Sequence, residues 1–238
     1  MGKIMDVLLD LLFPPKCAFC GALMEHSGAG VCPRCEAALP YRSDDQVLRE
    51  INGFSAAITF YYDEPVSDGV KALKFRKTPW RAKIFARYLA QTAGEFLGGQ
   101  FDEITFVPVS LRRNYERGFD QARLLADETA KAWNLRAVPT VKKVRDNRRQ
   151  SSLDSPEDRA ENVKNVYRVP HPERVAGKRF LLIDDVLTTG STISACAAAL
   201  LEAGAESVVC AALAGGRGPQ KGALEGELDA SDKDSTGN

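Results

Sequence analysis

The sequence predicts an α/β protein, a parallel sheet flanked by helices, with a small N-terminal four-cysteine zinc module. Three observations predict it. Residues 180–183 (FLLI) are an apolar run suited to a buried parallel strand. Two carboxylates follow, Asp184 and Asp185, then a loop of small residues, Thr188-Thr189-Gly190-Ser191-Thr192, then an Ala-rich helix. Residues 104–133 repeat this strand, loop, helix plan with a cationic loop. Near the N-terminus, Cys17-Ala-Phe-Cys20 and Cys32-Pro-Arg-Cys35 form two CxxC pairs separated by eleven residues.

Composition bounds the class. The 238 residues are 44% hydrophobic and 27% charged, ordinary for a folded protein and enough for one sizeable core plus a small module. The formal net charge is zero, which argues against a nucleic-acid protein as a whole. Residues 112–149, however, hold eleven Lys/Arg against five Asp/Glu, which points to an anionic ligand for that segment. No apolar run reaches the ~20 residues of a membrane span, so no membrane insertion is expected. Asp6 and Asp10 interrupt the short N-terminal apolar stretch, and no small-residue cleavage site follows. A cytoplasmic location is expected.

In chain order, residues 4–13 show roughly helical spacing up to Pro14-Pro15 and read as a short docking helix. Each CxxC pair then places two thiolates on one tight knuckle. Together Cys17, Cys20, Cys32 and Cys35 complete a tetrahedral zinc shell with no open position, so the zinc is expected to be structural. So small a module has no hydrophobic core of its own, and metal binding supplies its folding energy. His26 reads as a surface residue between the knuckles. The expected organisation is residues 1–50 as N-terminal helix and zinc module, 51–216 as the α/β domain, and 217–238 as a disordered tail.

Residues 41–53 read as a polar linker, and 54–62 (FSAAITFYY) as a β-branched and aromatic strand. Residues 66–74 and 80–96 read as helices. Lys74, Arg76 and Lys77 lie beside the turn between them, by default on a solvated face, with an anion contact as the alternative. Residues 104–109 (ITFVPV) form a second buried strand. Ser110, Arg112, Arg113 and Arg117 follow it, a loop fitting a polyphosphate, and then a helix runs over 122–133. Residues 138–144 read as a third strand. Residues 145–165 are a long polar stretch with Arg145, Arg148, Arg149 and Arg159, favoured as a functional lid over a disordered segment. The helix after Thr192 is expected to stop at Gly204, and residues 207–213 form the last buried strand. Cys196 and Cys210 read as buried, inert thiols.

A loop opening a helix presents free N–H groups and the positive end of the helix dipole to a phosphate. Carboxylates beside it suit hydroxyls or a hydrated Mg²⁺. One ligand type with both features is a sugar phosphate carrying a diol.

The stretch FLLIDDVLTTGST resembles the phosphoribosyl-pyrophosphate (PRPP) signature of type I phosphoribosyltransferases. Two cysteine knuckles, LKF at 73–75, VPV at 107–109, RGFDQ at 117–121, R-x-N-x-x-Q-x-x-L from Arg145 and R-x-x-N-V from Arg159 precede it. That series resembles the ComF family over residues 8–216. The resemblance implies a type I phosphoribosyltransferase-like sheet behind a zinc-ribbon-like head. It also implies an association with competence, with DNA-uptake proteins and with incoming single-stranded DNA. Asp184 and Asp185 would hold the ribose hydroxyls, partly through Mg²⁺ bound with PRPP. Thr188, Thr189, Gly190, Ser191 and Thr192 would cradle the 5′-phosphate. Ser110, Arg112, Arg113 and Arg117 would take the place of the pyrophosphate loop, and Arg145, Arg148 and Arg149 that of the catalytic loop. Asp120 stands where the family has Asn. Thr188 stands where enzymes of 6-oxopurine bases carry Asp, which disfavours that acceptor class.

The implied function is Mg-dependent phosphoribosyl transfer from PRPP to a nitrogen nucleophile. A non-catalytic nucleotide- or single-stranded-DNA-binding adaptor is the alternative, and a PRPP-sensing regulator a third. No run of aromatics interleaved with basic residues argues from sequence for base stacking.

Overall fold

In the computed structural model, residues 14–25, 30–109, 118–144 and 166–217 are described. The expected N-terminal helix, His26, the 110–117 loop, the 145–165 segment and the expected tail beyond Arg217 lie outside these residues.

The framework is a five-stranded sheet in the order β1-β2-β7-β6-β3. Its strands are β1 (Leu48–Ile51), β2 (Phe54–Tyr61), β3 (Glu103–Phe106), β6 (Arg179–Leu187) and β7 (Ser207–Gly215). Strands β2, β7, β6 and β3 are parallel, and β1 pairs antiparallel with β2 at one edge. The central strands read as continuous apolar runs because both faces are covered. On β6, Leu181 and Ile183 enter one core and Phe180 and Leu182 the other, as period-two alternation requires.

Two short helices, α1 (Pro33–Ala37) and α2 (Asp44–Val47), precede β1. The first core is filled by α3 (Val66–Phe75), α4 (Arg81–Leu97) and α5 (Gln121–Ala130), through Val70, Leu73, Phe85, Leu89 and Leu125. The second lies under α6 (Ser191–Glu202), through Ile193, Cys196 and Leu200. A separate two-stranded antiparallel ribbon, β4 (Lys142–Lys143) and β5 (Tyr167–Arg168), supplies Tyr167 to that second core, and Val141 just before β4 joins it. Helix α6 ends where the sequence places its stop. The Ala205 N–H donates to Leu200 O and the Gly204 N–H to Leu201 O.

Three sequence expectations are corrected. Residues 41–53 are not a linker, since they contain α2 and the edge strand β1. Asn52 and Gly53, at φ 50° and 87°, make the tight turn into β2, and Asn-Gly is the two-residue hairpin signal that identifies it. The third strand expected over 138–144 is divided by Pro139, which has no N–H for a ladder. Ala137 bridges Ile104 at the sheet edge, whereas Lys142–Lys143 belongs to the ribbon. Finally, the acidic pair does not follow its strand. β6 runs nine residues and contains both Asp184 and Asp185.

Candidate active site

The chain leaves β3 into α5 on one face of the sheet and leaves the adjacent β6 into α6 on the other. The crevice at the carboxyl ends of two such strands is where open parallel sheets bind ligands. Phe106 pairs with Ile183, and the Val107 N–H donates to Ile183 O at 2.9 Å. The segment leading into the 110–117 loop therefore departs beside Asp184 and Asp185.

Adjacent residues of a strand project to opposite faces. Asp185 is buried on the α3 side, where the Lys74 ammonium lies 2.9 Å from its Oδ2. The Lys74–Asp185 pair corrects the default solvated-face reading for Lys74; its charged end belongs to the site. Asp184 is half-buried and its Oδ1 accepts from the Asp185 N–H at 2.8 Å. Burial, and then the charge of Asp185, hold the Asp184 carboxyl well above the usual carboxylate range. The charge of Asp184 is also felt by Cys196 and Cys210 under α6. Both thiols are fully buried, and burial pushes Cys210 up to about 12, which makes both inert as nucleophiles.

After β6 the loop turns into α6 at Gly190, which occupies the N-cap with φ 76° and no side-chain cap. A Cβ there would lie 2.1 Å from Ile51 Cγ2, so the close approach of β1 as well as the backbone requires glycine. The Ser194 N–H makes the first intrahelical bond, to Gly190 O. The Ser191 N–H reaches the Thr189 hydroxyl at 3.4 Å, and no intrahelical acceptor exists for Thr192 and Ile193. Thr188, Thr189, Ser191 and Thr192 are exposed, so hydroxyls lie beside the open N–H groups of the helix start. Asn52 ties the β1–β2 turn to this helix by donating to the Ser194 hydroxyl at 3.1 Å.

On the β3 side, Asp120 caps α5. Its Oδ1 accepts from the Arg123 N–H at 3.1 Å and its Oδ2 from the Val109 N–H at 3.0 Å, so one carboxylate staples Val109 to the first turn of α5. Burial raises its pKa, with the Asp185 charge adding to the effect. Sequence alone treats Asp120 as a minor change from Asn and misses this staple. Ser110, Arg112, Arg113 and Arg117, with Arg145, Arg148 and Arg149, lie outside the described residues. The ends of the 145–165 segment are held together by the Val144 N–H donating to Val166 O at 2.8 Å.

The N-terminal module brings Cys17, Cys20, Cys32 and Cys35 together, with all four sulfurs within 4.8 Å of one another. Cys20 and Cys32 Sγ are 3.8 Å apart, matching the edge of a tetrahedron with Zn–S bonds of about 2.3 Å. Burial pushes the Cys17 thiol up, but N–H donors of Cys32, Cys20 and Phe19 outweigh it and bring it down to about 7. The four sulfurs fit a structural zinc. Between the first two cysteines, Phe19 is fully buried among Phe60, Phe85 and Tyr88. Buried Arg81 donates to the carbonyls of Ala18 and Phe19, fastening the knuckle to α4.

Comparison with known proteins agrees with this geometry. The phosphoribosyl transferase domain family matches residues 117–236, and the double zinc ribbon domain family matches residues 8–46. DNA utilization protein YhgH of Salmonella typhimurium is 33% identical over 203 residues, covering 81% of this chain and 86% of that protein. The chain belongs to the ComF family. Within that family, competence protein F of Haemophilus influenzae is 30% identical, with 82% of each chain covered. Competence protein ComFC of Streptococcus pneumoniae is 29% identical over 81% of this chain and 84% of that protein. As a ComF-family chain, it carries a phosphoribosyltransferase-type domain behind a zinc ribbon.

Proposed function

We propose that the protein binds PRPP and transfers its phosphoribosyl group to a nitrogen nucleophile, with Mg²⁺, in the cytoplasm and in the service of competence and DNA uptake. The observation carrying this reading is the end of β6. There the strand that carries Asp184 and Asp185 turns, through exposed Thr188 and Thr189, into a helix N-terminus with no side-chain cap and with Ser191 and Thr192 exposed. A diol would bind the carboxylates while the 5′-phosphate binds the open N–H groups. The family resemblance and the names of the relatives support the same reading.

In the reaction the C1–O bond to pyrophosphate breaks, and its electron pair leaves with the pyrophosphate. A C1–N bond forms from the nucleophile, whose proton passes to solvent or to a base on the acceptor. Catalysis is then mainly positioning and charge stabilisation. The carboxylate oxygens of the acidic pair are of the kind magnesium takes; because Asp185 Oδ2 is already paired with Lys74, Asp184 would be the carboxylate to reach the ion. Bound with PRPP, magnesium would offset charge on the leaving pyrophosphate. Arg112, Arg113 and Arg117 would hold that group, and Arg145, Arg148 and Arg149 would close over it. Calorimetric titration with PRPP tests the reading. The wild type should bind it in Mg²⁺, and D184A/D185A should lose binding; equal affinity for both proteins sinks the assignment. Pyrophosphate release with amine or base acceptors then separates transfer from binding alone.

A second reading, a single-stranded-DNA adaptor, is favoured by one observation. Residues 69–94 hold seven Lys/Arg and no Asp/Glu. At the turn between α3 and α4, Phe75 is 67% and Trp80 42% exposed, beside exposed Arg76, Lys77 and Lys83. These exposed aromatics beside cations, which sequence alone did not single out, suit an unpaired strand. An affinity for oligo-dT that does not fall with rising salt counts against it.

A further inference from the structure

The transfer reading leaves Lys74 without a role, yet its ammonium is the cation that touches the acidic pair among the described residues. Its side chain is 21% exposed and that of Asp185 10%, so the contact is shielded from solvent. The ammonium is delivered by a packed element. Lys74 lies in the last turn of α3, whose Val70 and Leu73 are buried in the core, and the negative end of that helix dipole also favours a cation. The charge of Asp185, which Lys74 touches, is felt by two further carboxylates, Asp120 and Asp184. Such a corner repels a phosphorylated sugar unless cations offset it. The strand alternation that separates Asp184 from Asp185 also gives each carboxylate its own face. Asp185 has a resident ammonium, and Asp184 lies on the opposite face of the strand.

We propose that Lys74 is a positioning residue for ribose recognition. It holds the Asp185 carboxylate in place as acceptor for a ribose hydroxyl, and on that face it fills the place of a divalent ion. Magnesium is then required by the pyrophosphate and Asp184, not by the sugar. This rests on reading the site as a phosphoribosyl site.

The test uses the full chain and ribose 5-phosphate, which has the diol and the 5′-phosphate but no pyrophosphate. Affinity is measured by calorimetry with and without added Mg²⁺ for wild type, Lys74→Gln and Lys74→Arg, with PRPP in Mg²⁺ as a parallel arm. Wild-type affinity for ribose 5-phosphate should not depend on Mg²⁺. Lys74→Gln should bind about ten- to a hundredfold more weakly without Mg²⁺, the range of a lost charge-assisted hydrogen bond, and recover most of that loss when Mg²⁺ is added. Lys74→Arg should stay near wild type. A wild-type affinity that needs Mg²⁺ overturns the proposal even if Lys74→Gln does not fold. So does a Lys74→Gln protein that binds like wild type, or one whose loss Mg²⁺ does not relieve. If wild type binds PRPP but the Lys74 outcomes fail, only the role of Lys74 falls. If wild type binds neither ligand, the phosphoribosyl site itself is refuted, and the proposal with it.

Discussion

The two strand-to-helix junctions at the carboxyl edge of the sheet look like repeats of one plan, yet they end differently. After β3, helix α5 begins at Asp120, whose carboxylate accepts from the helix's own Arg123 N–H and from Val109. After β6, helix α6 begins at Gly190, which has no side chain to offer. One helix start is closed by a side chain and the other has no side-chain cap. Two junctions of the same topology thus divide the labour. The Asp120 junction ties Val109 to the start of α5, and the Gly190 junction leaves its first N–H groups without a side-chain acceptor.

The comparison breaks most visibly at the open junction. Gly190→Val should cost about 3 kcal/mol of stability, from a left-handed backbone and from overpacking against Ile51. Chemical denaturation measures it. Adding Ile51→Ala should restore the packing share and leave the backbone share. A Gly190→Val protein as stable as wild type would mean that β1 does not press on this turn. At the closed junction, Asp120→Ala should cost about 1–2 kcal/mol by removing the cap and the loop staple together. Asp120→Asn keeps an acceptor oxygen and should lose less. If thermal unfolding ranks the two variants the other way, the cap is not what Asp120 contributes.

The smallest effect has the opposite sign. The pKa of Asp184 is raised in the folded protein, so its ionised form destabilises the ligand-free state as pH rises through that folded value. Asp184→Asn should therefore stabilise the free protein at neutral pH, by about 1 kcal/mol, while weakening ligand binding. The gain should fade as pH falls below the ordinary carboxylate value of about 4, where wild type is protonated in both states. Melting temperatures of the two proteins across pH read this directly, and a gain that grows on acidification would contradict it.

Much of this was legible in the chain. FLLIDDVLTTGST declares strand, carboxylates, small-residue loop and helix because apolar runs, small hydroxyl residues and glycine each have local consequences. Paired CxxC knuckles declare a metal site because four thiolates at that spacing have few other uses. The Asn52-Gly53 hairpin was equally local, and the signal lay within a segment whose polarity suggested a linker. What sequence could not supply were meetings across the fold. Lys74 reaches Asp185 from 111 positions away. Phe19 leaves its knuckle to fill a core lined by Phe60 and Phe85, and Asp120 reaches back to Val109.

By itself, then, the sequence determined which chemistry each local stretch carries, since strand period, turn type, thiol spacing and helix start depend on near neighbours. Only the tertiary structure decided how those pieces share a site. The register of β3 on β6 sets which loops face each other, and the packing of α3 sets which carboxylate receives an ammonium. Both depend on burial and on contacts between residues far apart in the chain, which no local pattern encodes.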